Sequence, residues 1–154
     1  MIIRIIAIGN KMPSWVLEGF QDYAKRFTSC SLELCEIPPE KRNKNTDIKK
    51  IIEIESDKLI EKVKPNHEVI ALDVEGKSFS TEDLSSELKN WQTNGRHIDF
   101  LIGGPDGLSK NCLKQANKRW SLSQLTLPHM LVRIILVEQL YRAMSMLQNH
   151  PYHR

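Results

Sequence analysis

Cysteine is scarce and unpatterned in this chain of 154 residues: Cys30, Cys35 and Cys112 are odd in number and form no C-x-x-C pair. That excludes a disulfide framework and speaks against a metal site, so the thiols read as reduced and the compartment as the cytoplasm. The apolar start, Met1 to Gly9, is short and interrupted by Arg4, which excludes a membrane span and a signal peptide. Two phosphate signatures are missing as well, G-x-x-x-x-G-K-[ST] and G-x-G-x-x-G. His150 and His153 stand three apart with no further His or Cys cluster to complete a zinc site. Glycine is sparse too, yet three of the seven, Gly103, Gly104 and Gly107, fall within five positions.

What is present describes an ordinary soluble domain. With 40% hydrophobic and 27% charged residues the chain needs no metal or disulfide to fold. A single domain of this length buries roughly 70% of its unfolded surface. The formal charge of +3 is too small to demand a nucleic-acid partner, but it is unevenly spread. Residues 103–154 hold seven Lys or Arg against Asp106 and Glu138, while residues 1–102 hold fifteen against seventeen acids. The positive field gathers on the last third, where an anionic partner would be met, although a solvated basic surface explains it equally well.

Strand and helix signals alternate along the chain. Strands are expected at 1–9, 32–37, 68–73, 99–102 and 121–125. Helices are expected from Pro13-Ser14 to about Phe27, Asp47 to about Lys64, Ser80 to about Trp91, Ser109 to about Lys118, and Pro128 to about Leu147. Trp15, Phe20, Tyr23, Ala24 and Phe27 supply the apolar positions of the first helix, and Ser80-Thr81-Glu82-Asp83 resembles a capping start for the third. Such alternation implies an α/β fold with a mostly parallel sheet and helices on both faces. Ligands of these folds bind at the carboxyl ends of the strands, here Leu72-Asp73, Gly103-Gly104 and Leu125-Thr126.

Three segments carry the chemistry. Gly103-Gly104-Pro105-Asp106-Gly107 permits close backbone approach, though a plain tight turn explains it as well. Leu122 to Pro128 joins the fifth strand to the last helix, with Thr126 as a candidate cap and Pro128 near the first turn. A loop apolar on both sides of Thr126, with free backbone donors and acceptors, suits a flat aromatic ring such as adenine. The last helix is apolar around nearly its whole circumference, which points to a partner subunit covering one side. Two polar pairs interrupt it, His129 with Arg133 and Glu138 with Arg142. Either is weak by itself, but beside the terminal Tyr152-His153-Arg154 they become candidates for substrate contact.

Taken together, Leu101 to Leu108, Ser121 to His129, Glu138-Gln139-Leu140-Tyr141-Arg142-Ala143 and Tyr152-His153-Arg154 resemble the RlmH family, small SPOUT-class methyltransferases of 23S ribosomal RNA. The likeness spans the chain and includes Lys11-Met12-Pro13 and Ile37-Pro38-Pro39. It implies one SPOUT domain over 1–154, its part from about 68 to 154 tied into a C-terminal trefoil knot. It implies S-adenosylmethionine (SAM) as methyl donor, held by Leu72, Gly103, Gly104, Leu122, Ser123, Gln124, Leu125, Thr126 and Leu127. It implies a homodimer, and as substrate N3 of a pseudouridine in helix 69 of 23S rRNA on the assembled ribosome. Glu138, Arg142, Tyr152, His153 and Arg154 are then the candidate catalytic residues, and His129, Arg133 and Arg154 candidate RNA contacts. His153 or Glu138 would take the N3 proton, Arg154 and Arg142 would stabilise the anionic ring or a phosphate, and Tyr152 would stack on the base. The residues alone leave two other readings open, a non-catalytic ribosome-associated factor and a small nucleotide hydrolase. The first predicts RNA binding without SAM affinity, and the second metal-dependent turnover.

Overall fold

The computed structural model describes residues 1–154. Five strands, β1 (Ile2–Ile8), β2 (Ser31–Ile37), β3 (His67–Ser78), β4 (His97–Ile102) and β5 (Lys118–Ser121), form one sheet in the order β2-β1-β4-β3-β5. Every neighbouring pair is parallel. Helices α1 (Ser14–Ala24), α2 (Ile48–Lys62), α3 (Thr81–Thr93), α4 (Lys110–Gln115) and α5 (His129–Leu147) connect them, and a 3-10 turn, Pro151–His153, closes the chain.

The period of two in the strands divides the core. Ile3, Ile5 and Ala7 of β1 join Phe100, Trp91, Leu136 and Leu140 on the face covered by α1, α3 and α5. Ile6 and Ile8 point the other way, to Leu59, Leu101 and Cys112 under α2 and α4. Arg4 and Asp99 occupy the same face as this smaller cluster, at the opposite end of the sheet from the strand carboxyl termini. Arg4 Nη1 donates to both Asp99 oxygens, at 3.1 and 3.0 Å, and the guanidinium also holds the Lys62 carbonyl at 3.1 Å. Asp99 is fully buried and accepts from the Lys64 N–H at 3.0 Å, with His67 Nδ1 at 2.9 Å. A buried carboxylate is tolerable only when its lone pairs are filled in this way.

Several boundaries differ from those expected. The fifth strand lies at 118–121 rather than 121–125, because the buried Trp120 fixes its register. Trp120 pairs with Leu72 and Lys77 and packs on Phe79 at 4.4 Å and Trp91 at 6.0 Å. Strand β3 continues to Ser78 through a bulge between Leu72 and Lys77. Gly76 makes the bulge possible, since a Cβ there would stand 2.7 Å from the Trp120 carbonyl carbon. Helix α4 stops at Gln115, where Ala116 turns extended, and α1 stops at Ala24. Trp15 is no core residue: it is 61% exposed at the start of α1. The capping start of α3 is as expected, with Ser80 and Asp83 bonded reciprocally at 3.0 and 2.9 Å.

Helix α5 packs on α1 and α3. None of its large apolar side chains is fully exposed, although Leu131, Val132, Ile134, Ile135 and Tyr141 remain half-buried. No helix is long and apolar enough to cross a membrane.

Asp99→Ala would leave Arg4 without its buried carboxylate, keeping only the Lys62 carbonyl and Glu33 at 3.6 Å, and a loss of about 3 kcal/mol in equilibrium urea unfolding is expected. A loss under about 1 kcal/mol would show that the cluster contributes little.

Candidate active site

The bulge of β3, the carboxyl end of β4 and the segment after β5 converge on one cleft, open to solvent. Its walls include Leu72, Asp73 and Val74 from β3, Ile102 to Pro105 and Gly107, Leu122, Ser123, Leu125, Thr126 and Leu127, and His129 and Val132 of α5. Of the expected donor-binding residues only Gln124 does not line it; its side chain is exposed.

Each wall follows from local chemistry. At Gly103 a Cβ would meet the Gly107 carbonyl at 2.8 Å, so the strand end can fold onto the turn only without a side chain. Gly107, at φ 85°, returns its N–H to the Gly104 carbonyl at 3.0 Å. The opposite wall is shaped by Ser121 Oγ, which donates to the Ser123 carbonyl at 2.8 Å, and by Ser123 Oγ, which accepts from the Leu125 N–H at 3.0 Å. No residue from Leu122 to Leu127 makes a backbone–backbone hydrogen bond. The loop therefore presents leucine side chains together with unused backbone donors and acceptors, the set a heteroaromatic ring requires. Thr126, expected as a helix cap, belongs to this wall instead: Pro128 occupies the N-cap position, and no side chain caps α5.

His129 faces the cleft, and its imidazole is held below its ordinary pKa by burial first and then by the cations of Arg133 and Arg42. Arg133 departs from its expected place among RNA contacts. It is fully buried, donating to Glu36 Oε2 at 2.7 Å and to the carbonyls of Ile8 and Gly9 at 3.3 and 2.7 Å. All of these acceptors lie at the ends of β1 and β2, so the side chain is committed to the protein's own frame. Arg133 and His129 are also not a bonded pair.

Glu138, Arg142 and Tyr152 do come together. Glu138 Oε1 accepts from Arg142 Nε at 2.8 Å and from the Tyr152 hydroxyl at 3.1 Å, and Oε2 accepts from Gln139 at 2.7 Å. Tyr23 joins through its hydroxyl, 3.3 Å from that of Tyr152, and the Arg142 guanidinium lies 5.0 Å from the Tyr152 ring centre. Burial, then the bond to Tyr23 and the Glu138 charge, push the Tyr152 hydroxyl well above the usual phenol range, so it stays protonated. His153 is partly buried with Nδ1 unpaired, whereas Arg154 is exposed. Sequence reading missed Tyr23, whose spacing marked it only as an apolar helix position. It also missed Val74, which lies beyond the expected end of β3.

This group is remote from the cleft of its own chain. Glu138 lies nine residues beyond His129 on one helix, about 14 Å at 1.5 Å per residue. No cluster of three or more His, Cys, Asp or Glu side chains is placed to hold a metal ion.

A parallel α/β sheet with a leucine-lined cleft at its strand ends and a polar tail on the last helix defines an α/β domain built to take a small ligand. The family model described as Predicted SPOUT methyltransferase matches residues 1–153. Relatives named Ribosomal RNA large subunit methyltransferase H match over the full length of both chains, that of Saccharophagus degradans at 54% identity and that of Marinomonas sp. at 50%. A solved structure described as a probable methylase family protein from Haemophilus influenzae Rd KW20 shares the fold, with TM-score 0.61 at 13% identity over 99% of this chain and 70% of that one. The chain belongs to the SPOUT methyltransferase family, among the relatives of ribosomal RNA large subunit methyltransferase H.

Because the folded pKa of His129 is lowered, the unfolded chain takes up that proton first as pH falls. Its contribution is therefore complete above the ordinary imidazole value and declines as pH drops through that value toward the folded one. His129→Gln is expected to flatten the fall in unfolding free energy between about pH 7 and 5.5. In NMR titration the His129 ring should protonate below 6.5; protonation at or above that value would contradict the burial argument.

Proposed function

We propose that the protein transfers a methyl group from SAM to N3 of a pseudouridine in helix 69 of 23S rRNA, on assembled ribosomes in the cytoplasm, and that it works as a homodimer. The observation that carries this reading is the cleft, whose apolar walls and unpaired backbone groups at Leu122–Leu127 fit an adenosine that bears a sulfonium. Leu72, Gly103, Gly104, Leu122, Ser123, Leu125, Thr126 and Leu127 would hold SAM, which supplies a methyl group already activated on a sulfonium. No phosphate loop is needed, and the protein's task is alignment. Passage of Ser121–Pro128 across the ends of β3 and β4 agrees with threading of the part from about 68 to 154 into a trefoil knot within one domain.

The uracil-type ring keeps a proton on N3, and that proton must leave as the new N–C bond forms. Of the two candidate bases, Glu138 already accepts from Arg142, Tyr152 and Gln139, and Nδ1 of His153 is unpaired but buried. His153 or Glu138 would take the proton. Arg154, exposed and without a carboxylate partner, would stabilise the negative charge left on the ring or hold a phosphate. Tyr152, with its hydroxyl engaged and Arg142 against its ring, would position the tail rather than stack on the base. His129, which lines the cleft, would meet the RNA.

The separation of tail and cleft along α5 supports the dimer. A tail unable to reach its own cleft can serve that of a second copy packed on the half-buried Leu131 and Ile135 side of α5.

Calorimetric titration with SAM is expected to give micromolar binding, with no heat from ATP; no SAM heat from the folded protein would favour a non-catalytic RNA-binding role. Deletion of Tyr152–Arg154 and the cleft variant Leu127→Glu should each abolish methyl incorporation into pseudouridine-containing ribosomes. Mixed in equal amounts and allowed to exchange subunits, the two should recover roughly a quarter of wild-type activity, because the mixed dimers keep one complete site. Absence of any recovery in verified mixed dimers would overturn the shared site.

A further inference from the structure

Behind the glycine wall of the cleft lies a second charged group, unconnected to the tail. Glu55, on α2, is 1% exposed. Its carboxylate accepts from the Glu40 N–H at 2.9 Å and from both terminal nitrogens of Arg42, Nη2 at 2.8 Å and Nη1 at 3.1 Å. This is the bidentate fork that Lys cannot form. Arg42 Nη1 also donates to the Glu40 carbonyl at 3.0 Å, while Nε reaches Asp106 Oδ2, at the tip of the glycine turn, at 2.8 Å. One guanidinium therefore joins a buried carboxylate on α2 to the tip of the cleft wall.

The glycine turn depends on such a tie. Its own backbone supplies one hydrogen bond, Gly107 to Gly104, and three glycines in five residues give it wide conformational freedom. The Gly104 main chain rests directly on the ion pair: a Cβ there would come within 3.1 Å of Glu55 Oε1 and 3.4 Å of Arg42 Nη2. An exposed ion pair ordinarily contributes little because two mobile side chains must be ordered. Here Arg42 is already ordered by Glu55, so holding Asp106 costs little further entropy. For stability alone an apolar residue at position 55 would serve as well as a buried carboxylate. What the ion pair adds is a fixed position for the turn.

We propose that Arg42 is a positioning residue for methyl-donor binding, holding Gly103–Gly107 through Asp106 in the shape that SAM requires. The proposal rests on the reading of the cleft as the SAM site. That reading stands or falls on SAM binding by the wild-type protein, whereas the tether is judged by variants measured against it.

The variants are Asp106→Ala, Asp106→Glu, Arg42→Lys and the double Arg42→Lys/Asp106→Ala. Asp106→Ala and Arg42→Lys are each expected to weaken SAM binding about tenfold, with the double no worse than the poorer single, as for two members of one interaction. KM for SAM should rise while kcat at saturating SAM stays within about twofold, the mark of lost ground-state positioning. Asp106→Glu, which keeps the charge within reach, should restore most of the affinity. Amide exchange at Gly107 should quicken while that at Gly9, bonded to the Ile37 carbonyl at 2.7 Å, stays unchanged as reference. If Arg42→Lys loses thermal stability, Asp106→Ala decides, since its side chain stands at the partly exposed tip of the turn. Unchanged SAM affinity in Asp106→Ala overturns the proposal, even if Gly107 exchanges faster, and so do additive losses in the double variant.

Discussion

The arrangement depends on the anchoring of α5 to the end of β1. Arg133 is completely buried and holds the carbonyls of Ile8 and Gly9 together with the Glu36 carboxylate. Strand β5 lies at the far edge of the sheet, separated from β1 by β3 and β4. A chain that leaves that edge and must begin its last helix beside β1 has to cross the ends of the two strands between them. Leu122–Leu127 is that crossing, and the space it encloses against Leu72 and Gly103 is the cleft. The buried cation is costly to desolvate, and three well-placed acceptors offset that cost. It fixes a chain path that apolar packing alone, being non-directional, would leave free to slide.

Charge is used differently at the two ends of the sheet. At the amino ends, Arg4, Asp99 and His67 form a closed network with no route to a ligand. At the carboxyl ends, charges stand beside the cleft: Arg133 holds the end of β1 against α5, and Arg42 would hold the glycine turn, while the cleft surface stays mostly apolar. Apart from Asp73, formal charge is kept off the surface that would meet SAM and placed just behind it.

Much of this was legible in the sequence, and for identifiable reasons. Alternating strand and helix patterns gave the element order because both faces of a parallel sheet are buried. Ser80 with Asp83 marked a helix start because the capping bonds are local. The turn at Gly103 and the apolar loop around Thr126 stood out because their composition suits neither strand nor exposed loop. Where the outcome depended on distant contacts, local pattern misled. Leu122 to Leu125 reads as a strand but is apolar because it lines a cleft, and the true strand is fixed by Trp120 against Phe79 and Trp91. Trp15 reads as core by spacing yet is exposed. Arg133 reads as the partner of His129 and an RNA contact because nothing nearby reveals Ile8, Gly9 and Glu36 as its acceptors. Arg42 and Glu55 read as separate members of a polar loop and a helix, since their partnership exists only once α2 folds against the sheet.

The half-buried side of α5 links these observations. A helix apolar around its circumference seemed to require burial on every side, and α1 and α3 cover only part of it. The same helix carries His129 at the cleft and Glu138 and Arg142 at the tail, about 14 Å away. A rigid helix cannot shorten that distance, and Tyr152 is held where it is by Glu138 and Tyr23. If cleft and tail serve one reaction, a solitary copy holds them too far apart. A second copy against Leu131 and Ile135 would cover the remaining apolar surface and also bring a tail to a cleft. One packing event would then satisfy the hydrophobic and the chemical requirement together, and an apolar stripe and a polar group on a single helix would serve the same contact.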